Sequence, residues 1–307
     1  MSDIQVTVVV CVYNGERYLA QTLESVAEQT GFGSEGKGIE VIVIDDRSND
    51  RSVEVIKQFI PVLEGKGFSV RPIFHSENIG TVRSYEEGAT AARGKYFKIL
   101  DHDDVLVSAG ALSEPVAFME SMEMHGIPVG VVFSKTLYID EGGVVFGEKR
   151  FPFPFLSHEA PDGLIPRNWG QLVLIFSPLY PFVHGASVVR KACWRELSVD
   201  YLAKHGTSLF DVHLALHAMH SRRWRVGYLR SPSLQYRIHE SNLTQTTVKR
   251  RTWTDILNAE YENLYGKGAL LLVIKSWTKL VQTTKGIYHR LKGADAFKAI
   301  AVFGKRK

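Results

Sequence analysis

The chain has 307 residues, enough to bury the core of one large domain or two modest ones. Lys and Arg number 37 against 33 Asp and Glu, and 45% of the residues are hydrophobic. So balanced a charge gives no support for nucleic-acid binding, and we expect none. The two cysteines, Cys11 and Cys193, exclude a disulfide scaffold and a Cys-based zinc site and favour a reducing compartment.

The N-terminus leads from Met1 directly into a strand-like stretch, without the basic and apolar segments of a signal peptide. No run of about 18 apolar residues occurs, so we expect no membrane-spanning helix. These features predict a cytoplasmic protein, with peripheral contact at the inner membrane face left open.

The first hundred residues alternate between two periodicities. Val6–Val12 and Ile39–Ile44 are almost wholly apolar, as in strands buried on both faces of a parallel sheet. Further strands are predicted at 68–74 and 96–100, helices at 18–29 and 52–59, and a turn at 78–80 that leads into a helix through Arg93. The alternation of strand and helix predicts an α/β fold with a parallel sheet and right-handed crossovers.

Polar clusters follow three of these strands: Tyr13-Asn14, Asp45-Asp46 and Asp101–Asp104. Ligands of open parallel sheets bind beyond the carboxyl ends of the strands, so the three clusters predict one site. Carboxylates there suit a hard cation that neutralises a diphosphate. Each acidic cluster could instead cap a helix or shape a turn without binding anything.

The second half is less regular. We predict a helix at 113–124, strands at 129–134, 135–139 and 182–189, a loop rich in Pro and aromatics at 151–166, and a helix at 208–221. Beyond residue 244 the sequence becomes helical and basic. We therefore divide the chain into 1–245, with halves 1–105 and 106–245, and a helical extension, 246–307.

Four segments carry a resemblance to a known family: Val10-Cys11-Val12-Tyr13-Asn14-Gly15, Val43-Ile44-Asp45-Asp46-Arg47-Ser48-Asn49-Asp50, Glu77-Asn78-Ile79-Gly80 and Leu100-Asp101-His102-Asp103-Asp104. In order, spacing and position they resemble the family 2 glycosyltransferases with the GT-A fold. The resemblance covers roughly residues 4–245. It implies a mostly parallel, Rossmann-like sheet flanked by helices, with a nucleotide-binding half followed by an acceptor half.

The resemblance also implies an activity. A hexosyltransferase-type enzyme would move a sugar from a UDP- or dTDP-sugar to a hydroxyl of a glycan or lipid-linked acceptor, with inversion and with Mn²⁺ or Mg²⁺. Cell-surface polysaccharide synthesis is the expected setting. Two positions depart from the family pattern: Cys11 replaces the commoner Pro, Thr or Ser, and Arg47 replaces the commoner Gly.

Site residues follow from matching positions. Tyr13 and Asp46 are similar to the base contacts. The other nucleotide-sugar positions are Asn14, Glu16, Gly80, Arg83, Asp101 and His102. Asp101 and Asp103 form the aspartate–any–aspartate pair, with Asp103 or Asp104 on the metal.

In the acceptor half, Asp211 is similar to the catalytic base, although Phe210 stands where a second acidic residue is usual. Asp200 is the reserve candidate, and Asp211 could simply cap a helix. His184-Gly185 resembles the acceptor-side glycine turn. Arg237 is similar to a phosphate contact in a late loop, and His239 to a phosphate or metal contact.

Residues 246–307 place Lys and Arg between apolar positions at helical spacing. Such helices could pack on the catalytic domain, form a homo-oligomer contact or lie on an anionic membrane. Two rival functions remain. A nucleotidyltransferase would need a Gly-rich phosphate loop where Tyr13-Asn14-Gly15-Glu16 stands. A non-catalytic nucleotide-sugar-binding protein would have no need of Asp211.

Overall fold

The computed structural model describes residues 4–33, 38–148, 163–165, 184–197, 214–215, 217–219, 221–240 and 242. The predicted base Asp211, the reserve Asp200 and the extension 246–307 lie outside these residues. So do most of the predicted loop 151–166 and most of the predicted helix 208–221.

The first half follows the predicted order of strands and helices. Its elements are β1 (Val6–Val12), α1 (Leu19–Ala27), β2 (Ile39–Asp45), α2 (Ser52–Gly65), β3 (Ser69–Phe74), α3 (Thr81–Ala91) and β4 (Tyr96–Asp101). Every residue of β1 and β2 is buried, as the apolar runs predicted. Helix α2 exceeds its predicted length, since Leu63 beyond Pro61 still packs into the core.

The second half differs more. Its elements are β5 (Val105–Leu106), α4 (Ser113–Met124), β6 (Val129–Ile139), β7 (Val145–Glu148), β8 (Gly163–Leu164), a 3₁₀ turn (His184–Ala186), β9 (Ser187–Arg190), α5 (Lys191–Trp194) and β10 (Arg225–Arg237). Helix α4 is confirmed, whereas the two strands predicted at 129–139 form one. Within the predicted strand 182–189, residues 184–186 form the 3₁₀ turn.

Strand β10 was not predicted. It has 13 residues, and it includes Arg237, which we expected in a loop. Its apolar pattern is interrupted at Arg230-Ser231-Pro232-Ser233, and its register with β6 shifts around Pro232. Proline cannot donate to a strand ladder, so an interior proline argues against a strand in a sequence-based assignment.

The described strands form one ten-stranded mixed sheet with the path β3-β2-β1-β4-β9-β6-β10-β5; β7 pairs with β6 and β8 with β10. Strands β3, β2, β1 and β4 are parallel, as are β6 and β10. Short β9 runs antiparallel to both β4 and β6 and joins the two parallel sets. The mostly parallel α/β sheet flanked by helices is therefore confirmed.

Register decides where the polar clusters lie. Val12 pairs with Asp45 and Cys11 with Asp101, so the carboxyl ends of β1, β2 and β4 meet at one edge of the sheet. Two apolar clusters on the two faces of the sheet form the core beneath that edge. Within the described residues, no helix is both long and apolar enough to cross a bilayer.

Candidate functional site

An acidic turn, Asp101–Asp104, closes the end of β4. The Asp104 N–H donates to the Asp101 carbonyl at 3.2 Å. Ligand oxygens from Asp101, Asp103 and Asp104 all lie within 4.8 Å of one another. Three carboxylates placed in this way could hold a metal ion, and carboxylate oxygens are the donors that hard cations prefer. The sequence analysis placed Asp103 or Asp104 on the metal, and the geometry adds Asp101 to that candidate set.

A different element holds each carboxylate of the acidic turn. The Tyr85 hydroxyl on α3 donates to Asp101 Oδ1 at 2.5 Å. The Arg237 backbone N–H at the end of β10 donates to Asp104 Oδ1 at 3.0 Å. His239 Nε2 lies 2.8 Å from Asp103 Oδ2. Three separate parts of the chain therefore orient the cluster.

The turn after β1 packs against the acidic turn through the His102 ring. A Cβ on Gly15 would lie 2.5 Å from the His102 Cδ2 atom, so a larger residue at position 15 would force the ring to move. The Thr22 hydroxyl on α1 lies 2.8 Å from the carbonyl oxygens of both His102 and Asp104. His102 is thus held at the predicted site.

The loops after β1 and β2 are joined by hydrogen bonds. Asn14 accepts from the Asn49 N–H at 2.8 Å, and Glu16 accepts from the Arg51 N–H at 3.0 Å. Asn14 and Arg47 both adopt positive φ, 50° and 61°. The family pattern more often has glycine at position 47, and glycine would adopt this conformation without strain. Tyr13 is 46% exposed beside these loops, with a ring open to stacking.

Asp46 is only 4% exposed, and both of its carboxylate oxygens are engaged. Oδ1 accepts from the Ile79 N–H at 2.8 Å and Oδ2 from the Gly80 N–H at 2.9 Å. Gly80 has a φ of 87°, which favours glycine. His75 also contacts Oδ1 at 2.9 Å. Arg83 lies on α3 nearby and pairs with Glu86 at 2.7 Å.

Arg237 has a different environment from the one predicted. Its side chain is 1% exposed, and Nε donates to the Asp103 carbonyl at 2.9 Å. Nη1 donates to the Asp140 carbonyl at 3.0 Å, and Nη2 donates to Gln21 Oε1. All three guanidinium nitrogens thus have protein partners. The structure gives Arg237 the role of holding the acidic turn, and its phosphate contact stays a prediction.

Tyr18 lies between the two late residues of the site. The Arg237 guanidinium carbon lies 4.6 Å from the Tyr18 ring centroid, and the His239 ring centroid lies 5.1 Å from it. Burial raises the pKa of the Tyr18 hydroxyl, with the nearby arginines opposing. The ring therefore serves as an apolar support between α1 and the end of β10.

The turn at His184–Ala186, which was predicted to face the acceptor, abuts the acidic turn. A Cβ on Gly185 would lie 3.3 Å from Asp104 Oδ2 and 2.9 Å from the Leu234 side chain. Buried Lys98 on β4 donates from Nζ to the Gly185 carbonyl. Burial lowers the pKa of Lys98 to about 7, and the Asp104 charge opposes that effect.

Comparison with known proteins identifies the family. A family model described as Glycosyl transferase family 2 matches residues 7–136. An uncharacterized glycosyltransferase of Haemophilus influenzae is 32% identical over 271 residues, which cover 82% of this chain and 74% of that protein. The chain belongs to the family 2 glycosyltransferases. The matches to two other curated relatives cover 45% and 61% of the lengths of those proteins.

Solved structures with the same architecture place this glycosyltransferase in the GT-A fold. TarS of S. aureus, residues 1–349, has a TM-score of 0.61 at 15% identity, covering 89% of this chain and 70% of that one. The mannosyltransferase PcManGT of Pyrobaculum calidifontis, in complex with GDP-Man and Mn²⁺, has a TM-score of 0.51 at 16% identity, covering 97% and 86%. At these identities the likeness shows the fold alone.

Sequence reasoning missed four contacts of the candidate site. They are those of Tyr18, His75, Tyr85 and Lys98. A charged residue inside the apolar run Tyr96–Leu100 was a signal for Lys98. The others lie in helices or at a strand end, where their residue types are ordinary.

Proposed function

We propose that this glycosyltransferase moves a hexose from a UDP- or dTDP-sugar to a hydroxyl of a glycan or lipid-linked acceptor, with inversion. Cell-surface polysaccharide synthesis is the setting that we propose. The observation that carries the proposal is the meeting of Tyr13, Asp46 and the acidic turn at one sheet edge. TarS, a fold neighbour, is described in complex with UDP-GlcNAc, which supports a nucleotide-sugar donor.

The base would lie between Tyr13 and Asp46. The exposed Tyr13 ring offers a stacking face, and aromatic stacking on a base is worth about 1–3 kcal/mol. Asp46 already accepts from two backbone N–H groups and contacts His75, which occupies three of about four acceptor positions of a carboxylate. One acceptor position remains, and uracil and thymine each present one ring N–H.

The three aspartates of the acidic turn fit a divalent cation. Three carboxylates within reach of one point are the hard oxygen donors that Mn²⁺ or Mg²⁺ takes. When bound, such an ion would neutralise the diphosphate leaving group. The Mn²⁺ in the PcManGT complex supports this assignment. His239 was predicted as a metal contact, and in the structure its Nε2 faces Asp103. We therefore assign it first to holding that carboxylate.

Transfer requires a base for the acceptor hydroxyl, and we propose Asp211. Its carboxylate would take the hydroxyl proton as the oxygen attacks the anomeric carbon, in line with the departing diphosphate. The assignment of Asp211 rests on the family resemblance alone, because Asp211 lies outside the residues that the structure describes. The turn at Gly185, pressed against Asp104, would form the acceptor side of the same site.

For residues 246–307 we propose a contact outside the catalytic domain, either with an anionic membrane face or with a second copy of the chain. Their basic and apolar residues support both choices. With the membrane contact we also propose a cytoplasmic location, peripheral at the inner membrane face. Flotation with anionic liposomes, comparing the wild-type chain with a variant in which Lys275, Lys279 and Lys285 become Glu, would separate a membrane contact from self-association.

The central experiment is a donor and metal panel. The protein is incubated with UDP-, dTDP-, GDP- and ADP-sugars and simple acceptors, with Mn²⁺, Mg²⁺ or EDTA, and released nucleoside diphosphate is measured. We expect release from UDP- or dTDP-sugars only with metal, and its loss in Asp103→Asn. The exposed Glu64→Gln variant on α2 is the matched control.

Two outcomes would reject the proposal. Pyrophosphate formed from a sugar phosphate and a nucleoside triphosphate would identify a nucleotidyltransferase. Tight nucleotide-sugar binding without turnover for any acceptor would identify a binding protein. Full turnover by Asp103→Asn would remove the metal assignment alone.

A further inference from the structure

His75 lies at the end of β3 with both ring nitrogens against carboxylates. Nδ1 is 2.9 Å from Asp46 Oδ1, and Nε2 is 2.7 Å from Glu87 Oε2 on α3. The His75 side chain is 10% exposed, and its backbone N–H donates to the Asp45 carbonyl. The imidazole therefore bridges the loop after β2 to the helix that follows β3.

The geometry of these two contacts indicates that the His75 imidazole is positively charged. An ionised carboxylate only accepts hydrogen bonds, and a neutral imidazole donates from one nitrogen only. Two carboxylates can both be satisfied only when both ring nitrogens carry protons. Burial opposes that charge, but the hydrogen bonds to Asp46 and Glu87 prevail and raise the pKa of His75 above its usual 6.5.

We propose that His75, as an imidazolium, is a positioning residue that orients the Asp46 carboxylate for the N–H of the donor base. This inference rests on the proposed function, because it takes Asp46 as the base contact. The Ile79 and Gly80 N–H groups hold Asp46 from one loop. Among the described residues, His75 adds the one side-chain donor to this carboxylate, and it ties the carboxylate to α3 through Glu87.

Loss of the proton changes these contacts. A neutral His75 that keeps its donor for Glu87 turns a nitrogen lone pair toward Asp46 Oδ1 at 2.9 Å, and two acceptors at that distance repel. The carboxylate then shifts from its oriented position. Donor affinity should therefore fall as the pH rises through the pKa of His75.

The other titratable groups near the imidazole do not reverse this sign. Asp46 faces it from the loop after β2, and Glu87 faces it from α3. Cys11 on β1 lies near both carboxylates, and burial raises the pKa of its thiol well above the usual value, so it stays uncharged. The imidazolium thus lies between two carboxylates, one on each side of the ring.

The test measures UDP binding to the 307-residue chain by calorimetry between pH 6 and 9. The β-phosphate of UDP also titrates near pH 6, so the compared quantity is the ratio of the variant Kd to the wild-type Kd at each pH. We expect His75→Gln to bind about tenfold more weakly at pH 6.5, with the ratio approaching one at high pH. His125→Gln, at an exposed histidine after α4, should leave the ratio at one throughout.

Glu87→Gln gives a second, independent readout. Removing one of the two carboxylates lowers the pKa of His75, so the pH at which affinity is lost should move downward. Nitrogen-15 NMR of the imidazole reports the doubly protonated ring directly, and thermal melting confirms that each variant is folded. A role in folding alone would not shift the midpoint in Glu87→Gln.

The outcomes are distinguishable. UDP binding by the wild type with a ratio for His75→Gln that does not change with pH would overturn the positioning role and leave the proposed function standing. A singly protonated His75 at pH 6 would overturn it equally. A wild type that binds neither UDP nor dTDP at any pH would overturn the proposed function and this inference with it.

Discussion

His239 Nε2 lies 2.8 Å from Asp103 Oδ2, although the two residues are 136 positions apart in the chain. Asn242 reinforces the contact, since its Nδ2 lies 3.3 Å from the same oxygen. The loop after β10 therefore closes on the acidic turn after β4. Histidine beside a metal-binding carboxylate commonly orients that ligand and tunes its affinity.

Replacing His239 by Asn should weaken Mn²⁺ binding about 10- to 100-fold, because the shorter side chain cannot reach Asp103. The measurement is a titration of free Mn²⁺ by electron paramagnetic resonance, with His125→Gln as the control. Unchanged Mn²⁺ affinity in His239→Asn would show that the imidazole does not support the cluster.

Replacing Asp211 by Asn should lower turnover about 10²- to 10⁴-fold, the usual contribution of a general base. Donor binding should stay unchanged, since we assign Asp211 no contact with the nucleotide. Steady-state release of nucleoside diphosphate measures the first, and the thermal shift caused by UDP measures the second. Asp200→Asn serves as the comparison; if it alone loses turnover, the base is Asp200.

Lys98 should make the protein more stable as the pH rises above 7. Burial lowers the pKa of Lys98 to about 7 from 10.5, so between these values the unfolded chain holds a proton that the folded protein lacks. The free energy of unfolding then rises with pH by up to about 1.4 kcal/mol per unit.

Lys98→Met removes that rise, and urea denaturation at pH 7.5 and 9 measures it in both proteins. Lys57→Met, at an exposed position on α2, should keep the wild-type slope. If the free energy of unfolding changes with pH in the same way in the wild type and in Lys98→Met, the lowered pKa of Lys98 does not cause the rise.

Two helical glycines should respond in opposite directions to alanine. A Cβ on Gly88 of α3 would lie 2.2 Å from Val9 Cγ1, and overpacking of this kind costs about 1–3 kcal/mol. Among the described residues, no atom outside the backbone of α2 and the adjacent residues lies within 4 Å of a Cβ on Gly65. Gly65→Ala should therefore stabilise by about 0.5–1 kcal/mol. Thermal unfolding of both variants tests the close approach of α3 to β1.

The fold of residues 1–105 could be predicted because its signals are local. Strands β1 and β2 are continuous apolar runs, and the residues that end them are polar, so pattern and strand order sufficed to place three clusters on one edge. Strand β10 lacked such a signal because its pairing with β6 tolerates Pro232 through register shifts. β10 could be recognised as a strand only from its pairing with β6 in the structure.

Side-chain partners could not be predicted in the same way. The sequence analysis assigned Arg237 to phosphate from a family motif, while its buried guanidinium donates to the carbonyls of Asp103 and Asp140. His75 had no distinguishing pattern at all. Such contacts depend on which strand ends meet, and they join residues from 29 to 134 positions apart.

The sequence by itself determined the fold class, the acidic turn at the end of β4 and the family, because apolar periodicity and short motifs are properties of neighbouring residues. Only the tertiary structure decided how the carboxylates are held: Asp101 by Tyr85, Asp103 by His239 and Asp104 by the backbone of Arg237. The physical reason is that hydrogen bonds act over about 3 Å. Their partners are set by sheet register and helix packing, which no local pattern specifies.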